Sequence, residues 1–327
     1  MREYGFELQL CAHLETRTDG IIARQLGGSV SESGRRILDI VEIEPGEEFE
    51  RRQSVTPSSI PPRAIHCDVG VGRWRRWSAM HELSSEAADR LLERAVDTDF
   101  FEVERHRGTT RVRQTVRYPD WIGRLTAIEN KPDLGSPGNL ASQLRHDVSL
   151  GLVDRVVLAT ESHVTGAHLN RIPDAVGVWR VTPADGAIDV VREPTRLDVD
   201  GWGLEIGDGT VSKRNVRAIS PAEKSRARVR LAEAAYGKGW RPSLPACQQA
   251  RLSEAAGTRS LPYCDWKDRV VDPGGCGPAC PGHEAGSAPS YDWPAEREDR
   301  TGWVADPAGF ARKQAGIGEF CPAPDGP

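Results

Sequence analysis

The stretch Thr126-Ala127-Ile128-Glu129-Asn130-Lys131 decides how this chain reads, because it sets a carboxylate and an ammonium two residues apart in an apolar strand. Lys131 is the only lysine in the first 212 residues; elsewhere in that span the positive charge is arginine. A guanidinium stays charged in any protein setting, whereas an ammonium is a compact charge whose pKa can shift. One lysine kept in an arginine-rich chain therefore points to chemistry. Side chains two apart in a strand share a face, so Glu129 and Lys131 are expected to project together, with Ile128 and Asn130 opposite.

Upstream, Arg35 to Glu44 alternates as a strand, with Ile37, Asp39, Val41 and Ile43 on one face. Asp39 is the polar member of an otherwise apolar row. Aspartate is a poor strand residue and costly to bury, so it calls for a partner such as a metal ion. Residues 2 to 15 repeat as a helix through Phe6, Leu10 and Leu14, with Glu7 at the edge of the apolar stripe. Downstream, Pro137 and Gly138 lead into a helix carrying Leu140, Leu144 and Val148. An apolar strand follows at Arg155 to Thr160, then a short helix near Ala167 to Arg171 and strands at Gly177 to Val181 and Ala187 to Arg192. The rhythm predicts an α/β fold with a mixed sheet flanked by helices.

Between these halves the pattern changes. Pro45, Pro57, Pro61 and Pro62 mark a connection into another unit, where 84 to 97 reads as an amphipathic helix. Two alternating segments, Phe100 to Arg105 and Arg111 to Val116, join through Gly108. A helix followed by an arginine-rich hairpin resembles a winged-helix module, whose wing can lie along a nucleic-acid backbone. The predicted organisation is a discontinuous core over 1–50 and 119–200 with an inserted winged-helix-like unit at 51–118. A basic helix and cysteine-bearing segment follow over 201–284, then a largely disordered or draped tail over 285–327.

With 38% apolar and 28% charged residues and no apolar run of about 18, the chain has no expected membrane span. Met1-Arg2-Glu3-Tyr4 does not open a secretory signal, so a cytoplasmic location is expected. The net charge of −5 neither requires nor excludes nucleic acid. Local patches say more. Arg105 to Arg117 holds five arginines and no acid, and Pro221 to Arg241 holds six basic residues against two acidic ones.

If the Asp39 strand pairs beside Glu129, the two carboxylates can hold a hard cation such as Mg²⁺. Lys131 could then orient a metal-bound water or stabilise charge on a phosphoryl group, a set suited to phosphodiester hydrolysis. At these residues the chain resembles the PD-(D/E)XK nuclease superfamily, whose restriction-endonuclease-like core runs helix, strands bearing Asp and Glu-x-Lys, helix, strand. The resemblance covers about residues 1–45 and 120–195. It implies that Asp39 and Glu129 bind Mg²⁺, that Lys131 assists the attacking water, that Glu7 is an accessory acid, and that Gln143 lies near the site. Asp39 lacks the preceding proline of the motif, and 89 residues separate it from Glu129, a gap that an inserted unit explains. Pro119-Asp120 is the competing assignment; Asp39 is preferred because Asp120 falls in a turn-like stretch. The whole chain also resembles a family of haloarchaeal proteins, which brings no activity with it. The reading that follows is a Mg²⁺-dependent nuclease acting on DNA. The alternative is a non-catalytic nucleic-acid-binding or regulatory protein on a degenerate nuclease fold.

Of seven cysteines, Cys247, Cys264, Cys276, Cys280 and Cys321 fall in the last quarter. Glycine and proline crowd around the last pair, Cys276 and Cys280, and such turns let the thiolates of the first four converge on one metal site, either tetrahedral zinc or a 4Fe-4S cluster. Some nucleases of the resembled superfamily pin a terminal segment with such a cluster. They place one cysteine before the core and three after, whereas all four follow it here. His283 and Cys321 are spare ligands.

Overall fold

The computed structural model describes residues 3–31, 35–136, 138–210 and 213–308. Helix α1 (Glu3–Glu15) forms on the predicted stripe and leads into strands β1 (Ile21–Gly27) and β2 (Ile37–Pro45). An insert follows, with helices α2 (Phe49–Gln53) and α3 (Pro62–Ile65), strand β3 (Arg75–Arg76), helix α4 (Ser85–Asp97) and hairpin strands β4 (Phe101–His106) and β5 (Thr109–Gln114). The chain returns through β6 (Ile122–Asn130), α5 (Leu140–Leu150), β7 (Arg155–Thr160), α6 (Gly166–Leu169), β8 (Gly177–Thr182) and β9 (Ala187–Arg192). Beyond lie the hairpin β10 (Gly203–Thr210) and β11 (Lys213–Ile219), helix α7 (Pro221–Lys238), strands β12 (Ala250–Ala255), β13 (Thr258–Cys264) and β14 (Arg269–Val270), and helix α8 (Trp293–Arg300).

Six strands make one mixed sheet in the order β1-β2-β6-β7-β8-β9. The pairs β1–β2, β2–β6 and β8–β9 are antiparallel, while β6–β7 and β7–β8 are parallel and need the crossovers that α5 and α6 supply. Gly151 ends α5 in the left-handed conformation and turns the chain back toward β7. Helix α1 covers one face, packing Phe6, Leu10 and Leu14 against Ile22, Ile40, Ile128 and Val157. Helices α5 and α7 cover the other, where Leu144, Leu231 and Tyr236 meet Ala23, Val41, Ala127 and Leu158. Each fully buried aliphatic side chain contributes about 1.5–3 kcal/mol, so a sheet covered on both sides is a rigid platform.

The insert has its own core around Ile60, Leu91, Phe100, Phe101 and Val112, with a three-stranded sheet in the order β3-β5-β4. It is tied to α7 through Arg52, whose guanidinium donates twice to Glu233 at 2.8 Å.

Strand β1 and the hairpin β10–β11 are not apparent in the sequence pattern. Within the tail, expected to be largely disordered or draped over the surface, Trp293–Arg300 forms a helix. Asp292 accepts from the Ala295 amide at 3.1 Å, starting α8 with Pro294 in its first turn. Arg297, 2% exposed, then donates to the Tyr236 carbonyl at 2.6 Å. Residues 309–327, including Cys321, lie outside the described residues. No described helix is long and apolar enough to cross a membrane.

Candidate functional site

Strands β2 and β6 pair with Val41 opposite Ala127 and Ile40 opposite Ile128. One step further, the same register sets Asp39 beside Glu129. The ladder stops there, and the Asn130 amide donates to Asp39 Oδ2 at 2.9 Å in place of a β2 carbonyl. On its other side β6 continues to β7, with the Lys131 amide donating to the Ala159 carbonyl at 3.0 Å. The site thus opens where the two central strands part.

Glu129 is 7% exposed and accepts from Arg36 Nη2 at 2.6 Å. Arg36, one residue ahead of β2, also grips Asp147 of α5, through Nε at 2.9 Å and Nη2 at 2.6 Å. A second group reaches Asp39 from the β1 side. The Gln25 amide donates to Glu7 of α1 at 3.0 Å and 3.2 Å, with a longer approach of 3.5 Å to Asp39 Oδ1. Glu7 also accepts from Arg24 Nε at 2.7 Å. Gln25 has a φ of 54°, a left-handed backbone that costs a non-glycine residue free energy and marks a strained point beside the carboxylates.

The electrostatics are uneven. Burial pushes the Asp39 carboxyl up from its ordinary value to about 6; the Asn130 N–H opposes this and the charge of Glu7 adds to it. Burial pushes Glu129 up to about 7, with Asp39 as the next contributor and Arg36 opposing. Among the described residues a single guanidinium, that of Arg36, touches Glu129 and Asp147, so the positive charge there does not balance the carboxylates.

Asp39, Glu129 and Glu7 are thus brought to one region. Lys131 is placed differently. It follows the last residue of β6, its ammonium is 3.6 Å from Glu3 Oε2, and its side chain is 24% exposed. Gln143 lies one turn before Asp147 on α5 and therefore shares its helix face. Asp120 is exposed in the turn before β6, where its amide donates to Glu48 at 2.6 Å. Sequence reasoning missed Arg36, Asp147 and Gln25. Asp147 carried a signal, since it lies seven residues after Leu140 on the buried stripe of α5 and is 5% exposed.

In the tail, Cys264 ends β13 opposite Ala250, Cys247 bridges to Ala285, and both cysteines are buried. The Cys276 thiol is pushed up by burial first, against the charge of Lys267, and further by Cys264, Cys247 and Cys280. Among the described residues, no three His, Cys, Asp or Glu side chains already stand as a metal-ligand set.

Fold and site together define a mixed α/β protein with a buried carboxylate group where two central strands separate. The chain belongs to a family of unknown function, DUF5787, whose model matches residues 21–285. No curated protein and no solved structure shows significant similarity to it.

Proposed function

We propose that this protein is a divalent-metal-dependent nuclease that hydrolyses DNA phosphodiester bonds, with Asp39 and Glu129 as the metal-holding carboxylates. The observation that carries the reading is the pair itself: two carboxylates from neighbouring central strands, both held well above their ordinary pKa by burial and by nearby negative charge. Such perturbed pairs concentrate at functional sites, and a hard cation relieves them. The order α1-β1-β2-β6-α5-β7, with the insert between β2 and β6, supports the resemblance to the restriction-endonuclease-like core.

The donor set fits Mg²⁺, which prefers oxygen ligands and is often held by one or two carboxylates with water and phosphate completing its shell. When bound, it would supply charge stabilisation for a phosphoryl oxygen and a more acidic water. The other roles fall to the chain's own residues. Lys131, partly exposed and only loosely paired with Glu3, is free to meet an entering phosphodiester. Asp147 positions Arg36, and Arg36 fixes Glu129. Gln25 holds Glu7 beside Asp39. The insert, with α4 ahead of the β4–β5 hairpin, retains the winged-helix-like reading as the nucleic-acid-facing unit.

The ion pair between Arg36 and Glu129 favours a second reading, a non-catalytic nucleic-acid-binding protein on a degenerate nuclease fold. The thiols of Cys247, Cys264, Cys276 and Cys280 support a bound zinc ion or 4Fe-4S cluster in the tail, to be read by elemental analysis and visible absorption of the purified chain.

The deciding experiment incubates the full chain with Mg²⁺ and single-stranded, duplex or branched DNA. Cleavage that is lost with chelator, in Glu129→Gln and in Lys131→Ala supports the nuclease. DNA binding without cleavage of any substrate transfers support to the second reading.

A further inference from the structure

The two basic stretches of the sequence fare differently in the fold. In the β4–β5 hairpin, Arg111 pairs with Glu104 at 2.8 Å and Arg113 with Glu102 at 2.5 Å, so much of its charge is answered across the strands. On α7, Lys224 is buried against the Asp198 carbonyl at 2.7 Å and Arg228 is held by Asp154 at 2.8 Å. Lys238 donates to the Gln25 carbonyl at 2.8 Å. Arg226 and Arg230 are exposed and one turn apart, with only Arg230, among the described residues, tied to a backbone carbonyl, that of Ser29 at 2.6 Å.

Both line a cavity of about 870 Å³ between α7 and the insert. Arg63 and His66 from the α3 region and Arg94 of α4 line the same cavity. Four guanidiniums thus stand over two acids, Asp68 and Glu82. Among the described residues, Arg63, Arg94 and Arg226 make no ion pair. The His66 ring is held below its ordinary pKa by burial first and then by the charge of Arg226. The cleft is also joined to the carboxylate site. Arg230 donates to the Ser29 carbonyl at 2.6 Å, Ser29 Oγ accepts from the Arg36 amide at 2.9 Å, and the Arg36 side chain holds Glu129.

We infer that this cleft is a docking site for the sugar–phosphate backbone of DNA, with its guanidiniums taking successive phosphates while the strand runs on toward Asp39 and Glu129. The direction of the strand rests on the nuclease reading; the binding itself does not. Guanidiniums suit the task, since each can hold two phosphate oxygens at once. Guanidiniums from separate elements allow a chain of phosphates to be held at more than one point.

The test is binding of labelled duplex DNA to the full chain in chelator, where no cleavage can occur, across a salt series. Arg226→Gln with Arg230→Gln, and separately Arg63→Gln with Arg94→Gln, are expected to weaken binding about tenfold. Each pair should also flatten the slope of log affinity against log salt by about two, one for each guanidinium withdrawn from a phosphate. The second pair makes no ion pair in the fold, so it guards against loss of stability in the first. Arg251→Gln, which removes a surface arginine paired with Asp265 at 2.6 Å, is expected to bind as the wild type does. Wild-type affinity and salt slope in both paired variants, or no DNA binding by the wild-type chain, would overturn the docking site. Cleft-dependent binding with no cleavage in Mg²⁺ would leave it standing and remove only the nuclease.

Discussion

Arg52 and Arg36 are both buried guanidiniums held by carboxylates, yet their surroundings differ in the balance of donors and charge. Around Arg52 the count closes. Glu233 receives two bonds from Arg52, one from the Ile60 amide and one from the Tyr118 hydroxyl, all at 2.8 Å. Arg52 also donates to the Thr56 and Ser58 carbonyls and lies 4.0 Å over the Tyr236 ring. One positive charge meets one negative charge, and both side chains are fully buried. Around Arg36 the count stays open, because one guanidinium serves Glu129 and Asp147 while Asp39 relies on an amide and a distant glutamine. A buried ion pair that is fully answered holds a structure together, as Arg52 ties the insert to α7. A carboxylate group short of cations stores unfavourable energy that a ligand can release.

The difference is sharpest in activity. Glu129→Gln is expected to lower DNA cleavage in Mg²⁺ at least about a hundredfold, as removal of a principal transition-state or metal contact does. Its unfolding midpoint should hold or rise, since a charge that burial disfavours has been removed. A large loss of stability instead would make Glu129 structural like Glu233. The converse holds at the other cluster. Glu233→Gln strands a buried guanidinium and should cost about 3–5 kcal/mol in denaturant unfolding. Arg52→Met with Glu233→Leu should recover part of that loss.

A pH series separates the clusters with a smaller effect. Asp39 and Glu129 have folded pKa values raised from 3.8 to about 6 and from 4.5 to about 7. Between about pH 4 and pH 7 the folded state therefore binds more protons than the unfolded chain at these groups. Their contribution destabilises fully above the folded values and is relieved as pH falls through them, the reverse of an ordinary salt-bridged acid. Thermal melts from pH 8 to pH 5 should show the wild type gaining on Asp39→Asn as pH drops; parallel curves would contradict the raised values. Smaller still, Arg297→Met should cost about 1 kcal/mol, because lost bonds to the last α7 carbonyls are offset by relief of a cation that burial holds down at about 9.

Much of the sheet was legible because its strands carry strong periodicity. Asp39 stood out as the one acid in the row Ile37, Val41, Ile43, and Glu129 as the acid in an apolar strand. Arg36 could not be read that way. Its partner Asp147 is 111 residues away, and nothing local distinguishes it from the other arginines. Strand β1 was hidden by Arg24 and Gln25, which interrupt its alternation and serve Glu7 instead. The strand rule points Lys131 the same way as Glu129, but β6 ends at Asn130 and the rule no longer applies beyond it. In the tail, Asp292 and Pro294 were a helix-start signal in an eight-residue helix too short to show periodicity.

The proposed pairing of Asp39 and Glu129 around a hard divalent cation is tested by calorimetric titration of Mg²⁺ into the full chain at pH 8. Saturable binding is expected that is lost in Asp39→Asn and in Glu129→Gln but kept in Glu233→Gln under conditions where that variant is folded. Wild-type protein that takes up no Mg²⁺, or binding that survives both carboxylate substitutions, would contradict that pairing.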